Sequence, residues 1–541
     1  MEEIRFIKPK VQLQNPDNKF DLSEFVQSVR ITKSVSRPVN SMSIVLNPAV
    51  EGNLSTTITH NKVVNHLLKQ IGLNSIISAK IDQSAKKHTF LGFVDHVVPT
   101  YSVNNNSTQR TITVNVSELL GKALTRDNII NAPQLANNPT IREVLGDDRV
   151  QWFDWMRGYV GGTTHNVFAK GTPEEVIKFI LEKTALMNVD IGEKDKVSIK
   201  SYINPKLLDV DGLPMLRLDF LGGESIYDKG LTTFAGPILQ YIQQAIDLAW
   251  YELFFDTTTG KNGLPYASMI VRPKPFCYKN YQSPVQSNVL SGWKYFEDLP
   301  AVEINQEDKI LDTCGQSDYE LKNTFRVNFA QSLVASANTR LSKFGLSYPI
   351  TNLESVKKFG MRELTVTSNM INFAGIATNW NNAVENKEIP NFNKLTNSEL
   401  QFILEKREKI VEFHGFPYFN SGQMRLVGNE NIRHGSKLID KDGYYYDVEN
   451  KTSIKGIEYY VDTIAHNYHA GSFFTTDVSL QRGAPRNFVG DWFNKNRTNF
   501  IGIDSVATGE KEISSNNEQK IAELDKIDEV IENMKNFKIL S

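Results

Sequence analysis

Alternation of polar and apolar residues is the pattern that most restricts this chain. In RTITVNVSE, residues 110–118, Ile112, Val114 and Val116 share one parity while Thr111, Thr113 and Asn115 share the other. Successive side chains of a strand point to opposite faces, so this spacing predicts a strand with one dry and one wet face. SMSIVLNP repeats the pattern, with Met42, Ile44 and Leu46 on the apolar side, Ser41 and Ser43 on the polar side, and Asn-Pro as a stop. VQSVRITKS, Val26–Ser34, alternates loosely, and HTFLGFVDHVVP from His88 supplies another strand that turns at Asn104–Ser107. The first 130 residues therefore read as a meander of half-buried strands. They hold 15 Lys/Arg against 10 Asp/Glu, scattered along the segment, which fits a solvated surface.

Beyond residue 130 the pattern is mixed. Thr172, Pro173 and Glu175 make a capping box for a helix whose stripe is Val176, Ile177, Ile180 and Leu181. A second helix opens at Gly236-Pro237 and runs to Trp250-Tyr251. ELFFD, Glu252–Asp256, then reads as a strand, TTTGKNG as a turn, and ASMIVRPKPF as the partner strand. RELTVTSN from Arg362 reads as a strand, and a helix opens at Thr396-Asn397-Ser398-Glu399. Gly422 to Arg482 is β again, including GYYYDV, GIEYYVDTIAHNYH and FFTTDVSLQRGAP. Past Arg486, Asn, Lys, Ser and Gly rise to about residue 517 and predict a polar linker. A final helix, Glu518–Lys538, carries Leu524, Ile527, Ile531 and Met534 at 3-4-3 spacing, the seam of a short coiled coil or of a helix docked on a partner.

With 541 residues the chain has room for about three or four domains. Its 40% hydrophobic and 23% charged residues exclude wholesale disorder, and 60 Lys/Arg against 62 Asp/Glu exclude a globally basic nucleic-acid binder. Cys277 and Cys314 cannot build a disulfide framework. The opening MEEIRFIKPK has no apolar segment of the secretory kind, and no run of 18 apolar residues occurs. The expectation is a chain made and soluble in the cytoplasm.

A search for chemistry finds no catalytic, metal or cofactor site. HNYH, with His466 and His469, lies in a β stretch where i and i+3 face opposite ways, a poor metal clamp. HExxH, GxSxG and GxxxxGK[ST] are absent; YVGGTTHN lacks the lysine of a phosphate loop; LGGES is no nucleophile elbow. Cys277 reads as a buried thiol. The residues point to structure or binding and not to an enzyme.

The ordered strands resemble a family. VRITKSVSRPVNSMSIVLNP, FLGFVDHVVPTYSVNNNSTQRTITVNVSELLGKAL, GPILQYIQQAIDLAWYELFFDTTTGKNGLPYASMIVRPKPF, SYPITNLESVKKFGMREL and DTIAHNYHAGSFFTTDVSLQRGAP together are similar to the central baseplate hub of contractile phage tails and related injection systems. That family includes the T-even hub, the late control D protein and the type VI hub domain. The matched structural positions are Asp95, Glu252, Asp256, Arg272, Gly360, Arg362, Arg482 and Gly483.

The resemblance implies an α+β, β-dominated chain: two tube-like β-barrel domains with a mixed α/β insert and a helical C-terminal tail. The expected division is 1–130 and 297–486 for the tube-like units, 131–296 for the insert and 487–541 for linker and helix. It implies a homotrimer joining the hexameric tail tube to a central spike or tail-tip protein, with baseplate wedge and tape measure proteins as neighbours. DNA passes without specific binding, no cofactor is used, and the chain does not insert in a membrane. The setting implied is the virion tail baseplate, assembled in the host cytoplasm. Lumen-facing side chains are expected to be mostly Asn, Ser, Thr, Gln, Asp and Glu, with Lys and Arg turned outward. Only about 55 residues follow Arg486, so the spike is expected on another chain, held by the C-terminal helix. The alternatives are a tail-associated cell-wall hydrolase and a receptor-binding tail-tip protein.

Overall fold

The computed structural model describes residues 7–14, 19–48, 57–82, 85–104, 107–126, 236–283, 295–317, 321–329, 349–368, 370–372 and 397–503, with short segments between 128 and 226. Strands β1 (Lys10–Gln14), β2 (Lys19–Asp21), β3 (Val26–Ser34), β4 (Ser41–Leu46), β5 (Ile76–Lys80), β6 (Phe90–Asn104) and β7 (Ser107–Glu118) form the meander read in the sequence. Helix α1 (Thr57–Gln70) lies between β4 and β5, and α2 (Leu119–Arg126) follows β7. The alternation sets the register. Val116, Val114 and Ile112 stand opposite Met42, Ile44 and Leu46 and are buried with them, while Ser43, Thr113 and Asn115 stay partly exposed on the other face.

Helix α3 (Ile238–Ala245) begins after Gly236-Pro237, as the sequence predicts, and leads into the hairpin β8 (Tyr251–Thr259) and β9 (Pro265–Pro273). Strand β8 is buried along its whole length. The later stretch supplies β10 (Ala301–Ile304), β11 (Lys309–Asp312), β12 (Gly315–Gln316), β13 (Thr324–Phe329), β14 (Ile350–Asn352), α4 (Leu353–Phe359), β15 (Glu363–Ser368) and α5 (Asn397–His414). It ends with β16 (Asn420–Val427), β17 (Lys437–Asp447), β18 (Thr452–His469), β19 (Thr475–Ala484), α6 (Phe488–Asn496) and β20 (Phe500–Ile501).

The molecule is β-dominated, as expected, but its two β-rich stretches do not stand apart. One 14-stranded sheet runs β11-β16-β19-β18-β3-β4-β7-β6-β5-β1-β2, with β10, β12 and β17 attached beside it. The join is β3 against β18, antiparallel from Ser34 opposite Thr463 to Ser28 opposite His469. The long β18 pairs β17 with its first half and β3 with its second, while β19 covers its other side. Each stretch thus closes an edge that the other would leave open. A smaller sheet, β15-β13-β14-β20, completes the C-terminal part.

Apolar side chains gather in two clusters. One lies among β1–β7 and α1, with Val64 and Leu67 of the helix on the dry face of the strands. The other joins α2, α3, the β8–β9 hairpin, α5, β16–β19 and α6. Among the described residues no helix is long and apolar enough to cross a membrane.

The polar linker predicted past Arg486 is corrected over residues 488–503. Val489, Trp492, Phe493 and Phe500 are buried there, and Trp492 meets Phe416, Phe493 and Phe500 edge-on. Apolar residues at i, i+3 and i+4 bury one face of a short helix despite its polar composition. The helix predicted after Thr172, apart from the buried Ile177, and the C-terminal helix with Leu524, Ile527, Ile531 and Met534 lie outside the described residues.

Candidate functional site

The wet face of the large sheet forms one concavity of about 650 Å³. Its lining comes from β11 and β16 at one side and from β6 and β7 at the other, strands that lie far apart in the sheet order. The sheet is therefore curled, in keeping with the twist that strands impose on large sheets. Its registers carry one row across the join, polar except at Ala465: Arg425 stands beside Asp477, Asp477 beside Ala465, Ala465 beside Thr32, Thr32 beside Ser41, and Ser41 beside Ser117. A second row runs Asn467, Arg30, Ser43 and Asn115.

Seven lining residues are Ser or Thr, so hydroxyls dominate the polar surface. Both carboxylates are engaged. Asp95, set by a β-bulge between Val94 and His96, accepts the Ser117 hydroxyl and pairs with Lys122 at 3.1 Å. Asp477 pairs with Arg425 at 2.7 Å and accepts the Asn467 amide at 3.0 Å. Arg30 and Arg37 are exposed on the same face. Exposed pairs of this kind contribute little stability, so they set the charge of the surface more than its strength.

Of the positions singled out in the sequence, Asp95 alone lies on this face. Glu252 and Arg272 are opposite each other in the β8–β9 register, joined at 2.5 Å and buried. The Tyr460 hydroxyl donates to Glu252 at 2.7 Å, and Arg272 donates to the Gly435 carbonyl at 2.6 Å. Asp256 pairs with Lys33 of β3 at 2.5 Å. Burial pushes the Asp256 carboxyl up, but Lys33, with His434 and Arg433, overrides burial and holds it below the usual carboxylate range. Gly360 caps α4 at φ 75°, a left-handed conformation that favours glycine. Arg362 acts through its backbone: its N–H donates to Asn323 Oδ1 at 2.8 Å, and its carbonyl accepts the Asn323 N–H at 3.0 Å. Arg482 is buried between the rings of Phe276 and Phe419. A Cβ on Gly483 would come within 2.2 Å of the Tyr459 ring. Glu252, Arg272, Asp256 and Arg482 fasten the hairpin and α5 to the sheet, Gly360 and Arg362 shape the turn after α4, and these positions do not converge on one reactive centre.

Chemistry elsewhere is subdued. His466 is buried and bonded to the Thr476 hydroxyl at 3.1 Å, while His469 is exposed, the opposite-face arrangement read from HNYH. Burial pushes the Cys277 thiol up, and burial with Asp312 pushes Cys314 up to about 12, so neither is a ready nucleophile. Among the described residues no group of three or more His, Cys, Asp and Glu is placed to hold a metal ion. Sequence reading missed the buried ionisable side chains Lys33 and Glu118. Their signal was parity: Lys33 shares the dry side with Val29 and Ile31, and Glu118 with Ile112, Val114 and Val116.

No protein-family model matches the sequence, and neither does any curated protein. Among solved structures, the chain is similar to the 43 kDa tail protein of prophage MuSo2 from Shewanella oneidensis. Identity is 9% and TM-score 0.39, over 87% of this chain and 98% of that one. A tail protein from Neisseria meningitidis gives 7% identity and TM-score 0.40, over 87% and 96% of the two chains. An E. coli component of the type VI secretion system, described as structurally similar to the T4 bacteriophage tail proteins gp27 and gp5, gives 8% and 0.32 over 84% and 73%. Two of these three are described as tail proteins and the third as a type VI secretion component. At these identities and scores no residue role transfers from them.

Proposed function

We propose that the chain is a structural, non-enzymatic subunit of a phage tail or related injection machine. In this reading it is a hub: three copies ring a channel, joining the hexameric tail tube to a central spike or tail tip, with the concave face of each large sheet as channel wall. The supporting observation is the union of the two β-rich stretches into one curled sheet with a continuous wet concavity and a buried opposite face. A hydroxyl-rich wall with paired carboxylates presents hydrogen-bonding surface without a strong net field, which suits passage of a charged polymer. The arginines are the departure from the expected lining. Arg425 is offset by Asp477, whereas Arg30 and Arg37 give the wall a local positive character. The sheet ends in short strands, three residues in β2 and four in β11, and neighbouring copies in a closed ring would cover such ends. Baseplate wedge and tape measure proteins, and the virion tail as location, belong to the same proposal.

Single cysteines at Ser43 and Ser479 test it in assembled tails. A small maleimide should label both, whereas a bulky polymer maleimide should label them in the isolated chain and fail in the assembly. A control cysteine at the exposed Tyr444 should take both reagents before assembly. Equal access of the bulky reagent to Ser43→Cys and Ser479→Cys in assembled tails would refute the channel wall.

A further inference from the structure

The contact between β3 and the β8–β9 hairpin brings an amine onto a carboxyl away from water. Lys33 Nζ lies 2.5 Å from Asp256 Oδ1, and both side chains are more than nine-tenths buried. A carboxyl carbon sits directly behind its oxygen, so Nζ is about 3–3.5 Å from Asp256 Cγ, the separation of a near-attack arrangement. The Thr257 N–H donates to the same oxygen at 2.8 Å and holds the carboxylate in place. The two residues are 223 positions apart, so only the fold brings them together.

A third ionisable side chain lies on the same row of the sheet. Thr32 stands opposite Ser41, and Ser41 opposite Ser117; one residue further along each strand come Lys33, Asn40 and Glu118. The Glu118 N–H donates to the Asn40 carbonyl at 2.9 Å, which keeps that row in register. Two strand spacings set the Lys33 and Glu118 backbones about 10 Å apart, with both side chains on the dry face. The Asn40 amide between them donates at 2.8 Å to the carbonyl of Phe255, the residue before Asp256. A Cβ on Gly121 would come within 3.0 Å of Glu118 Oε2 and 3.2 Å of the Phe255 ring, so the Glu118 carboxyl sits beside that same residue. Glu118 is wholly buried; its Oε2 accepts the Gly121 N–H at 3.3 Å, and its Oε1 has no hydrogen-bond partner. Burial raises this carboxyl well above its ordinary range and keeps it protonated.

We propose that Lys33 and Asp256 condense to an intramolecular isopeptide bond, with Glu118 as the proton carrier. Lys33 passes one ammonium proton to the carboxylate, and the neutral amine attacks Cγ. The N–Cγ bond forms, one C–O bond breaks, and the oxygen leaves as water. Glu118 gives its proton to the departing oxygen and recovers one from the nitrogen, so it ends as it began. The two protons in the water are thus made up from the ammonium, and no oxidant, reductant or cofactor enters. Condensation removes two buried charges, whose desolvation is costly, and the fixed geometry supplies an effective molarity on the order of 10⁵–10⁸ M. Burial favours a neutral Asp256, but Lys33, His434 and Arg433 hold it ionised. The first proton transfer is therefore uphill, the bond forms after folding, and a freshly folded chain carries the ion pair. The bond would anchor the hairpin to the large sheet, independently of any role of the concave face.

Mass spectrometry of the full chain, incubated at neutral pH, tests the bond. The expected parent is lighter by one water, about 18 Da, and its tryptic map leaves Lys33 uncleaved and branched to the peptide that holds Asp256. Lys33→Arg keeps the charge, but its guanidinium does not give up a proton, so this variant should keep its full mass. Glu118→Gln should give the near-ultraviolet circular dichroism of the parent and lose water at least about tenfold more slowly. If Lys33→Arg does not fold, the branched peptide of the parent decides alone. A parent that keeps its full mass and is cleaved after Lys33 overturns the proposal. So does a water loss that maps elsewhere, for example to Asp442-Gly443. An undiminished rate in Glu118→Gln overturns the role given to Glu118.

Discussion

Lys33 and Asp256 are 223 residues apart in sequence and 2.5 Å apart in space, with side chains 5% and 9% exposed. They tie β3, at the centre of the large sheet, to β8. Around them the Asn40 amide donates to the Phe255 carbonyl at 2.8 Å, and His434 bonds the same carbonyl at 2.8 Å. Lys33→Met would leave the Asp256 carboxylate buried with the Thr257 N–H, at 2.8 Å, as its remaining near donor. Asp256→Leu would leave a buried ammonium instead. Removing one partner of a buried pair costs about 3–5 kcal/mol, whereas replacing both with apolar residues of similar volume is close to neutral. The double variant Lys33→Met/Asp256→Leu should therefore be more stable than either single variant, with a coupling energy of at least about 3 kcal/mol. Guanidinium unfolding followed by tryptophan emission reads this directly, because Trp250 and Trp492 are buried in the cluster that contains the hairpin. Single variants that lose less than about 1 kcal/mol, or a double variant whose loss is the sum of the two, would mean that the buried pair is not coupled in this way.

Acid should weaken the same seam. Burial, then Lys33 and neighbouring cations acting against Asp256, holds His434 neutral down to about 4, and burial with Lys33 and His434 holds His466 down to about 3. An unfolded imidazole protonates near pH 6.5, so the unfolded chain binds protons first and stability falls as pH drops from about 6.5 to about 3, by on the order of 3 kcal/mol per imidazole. Asp256, whose folded carboxyl is depressed, adds a further loss once pH falls below about 4; circular dichroism melts between pH 7 and 3 check both. Glu118 has the opposite sign: burial raises its carboxyl well above the ordinary range, so its contribution is lost as pH rises. Glu118→Gln should stabilise the chain by roughly 1–3 kcal/mol at pH 8 and leave it unchanged near pH 4, as measured by denaturant midpoints. Trp492→Ala should cost about 3–5 kcal/mol and open the segment after Arg486 to limited proteolysis, where a linker residue would cost under about 0.5 kcal/mol.

Much of the fold was legible because strand periodicity is local. Parity in β4 and β7 gave their buried faces residue by residue, and Gly236-Pro237 placed the start of α3. The join between β3 and β18 was not legible, because pairing partners 429 residues apart, such as Ser34 and Thr463, leave no local signal of register. Helix α6 was hidden by composition: its asparagines and lysine read as linker, although Val489, Trp492 and Phe493 already had helical spacing. Of the concave face, the polar parity of Ser41, Ser43, Thr113 and Asn115 was visible, but its curl depends on which strands neighbour which. The matched positions Glu252, Asp256 and Arg272 proved to be buried fastenings, and parity that sets a charge among core residues was the available sign.

Electron microscopy of assembled tails, with the map resolved well enough to place strands, reads the copy number and the orientation of the sheet together. A trimeric channel wall requires three copies around the tail axis, with the concavity residues Ser43, Asn115 and Ser479 facing the channel. Six copies, a single copy, or three copies whose concave faces point away from the axis would contradict it.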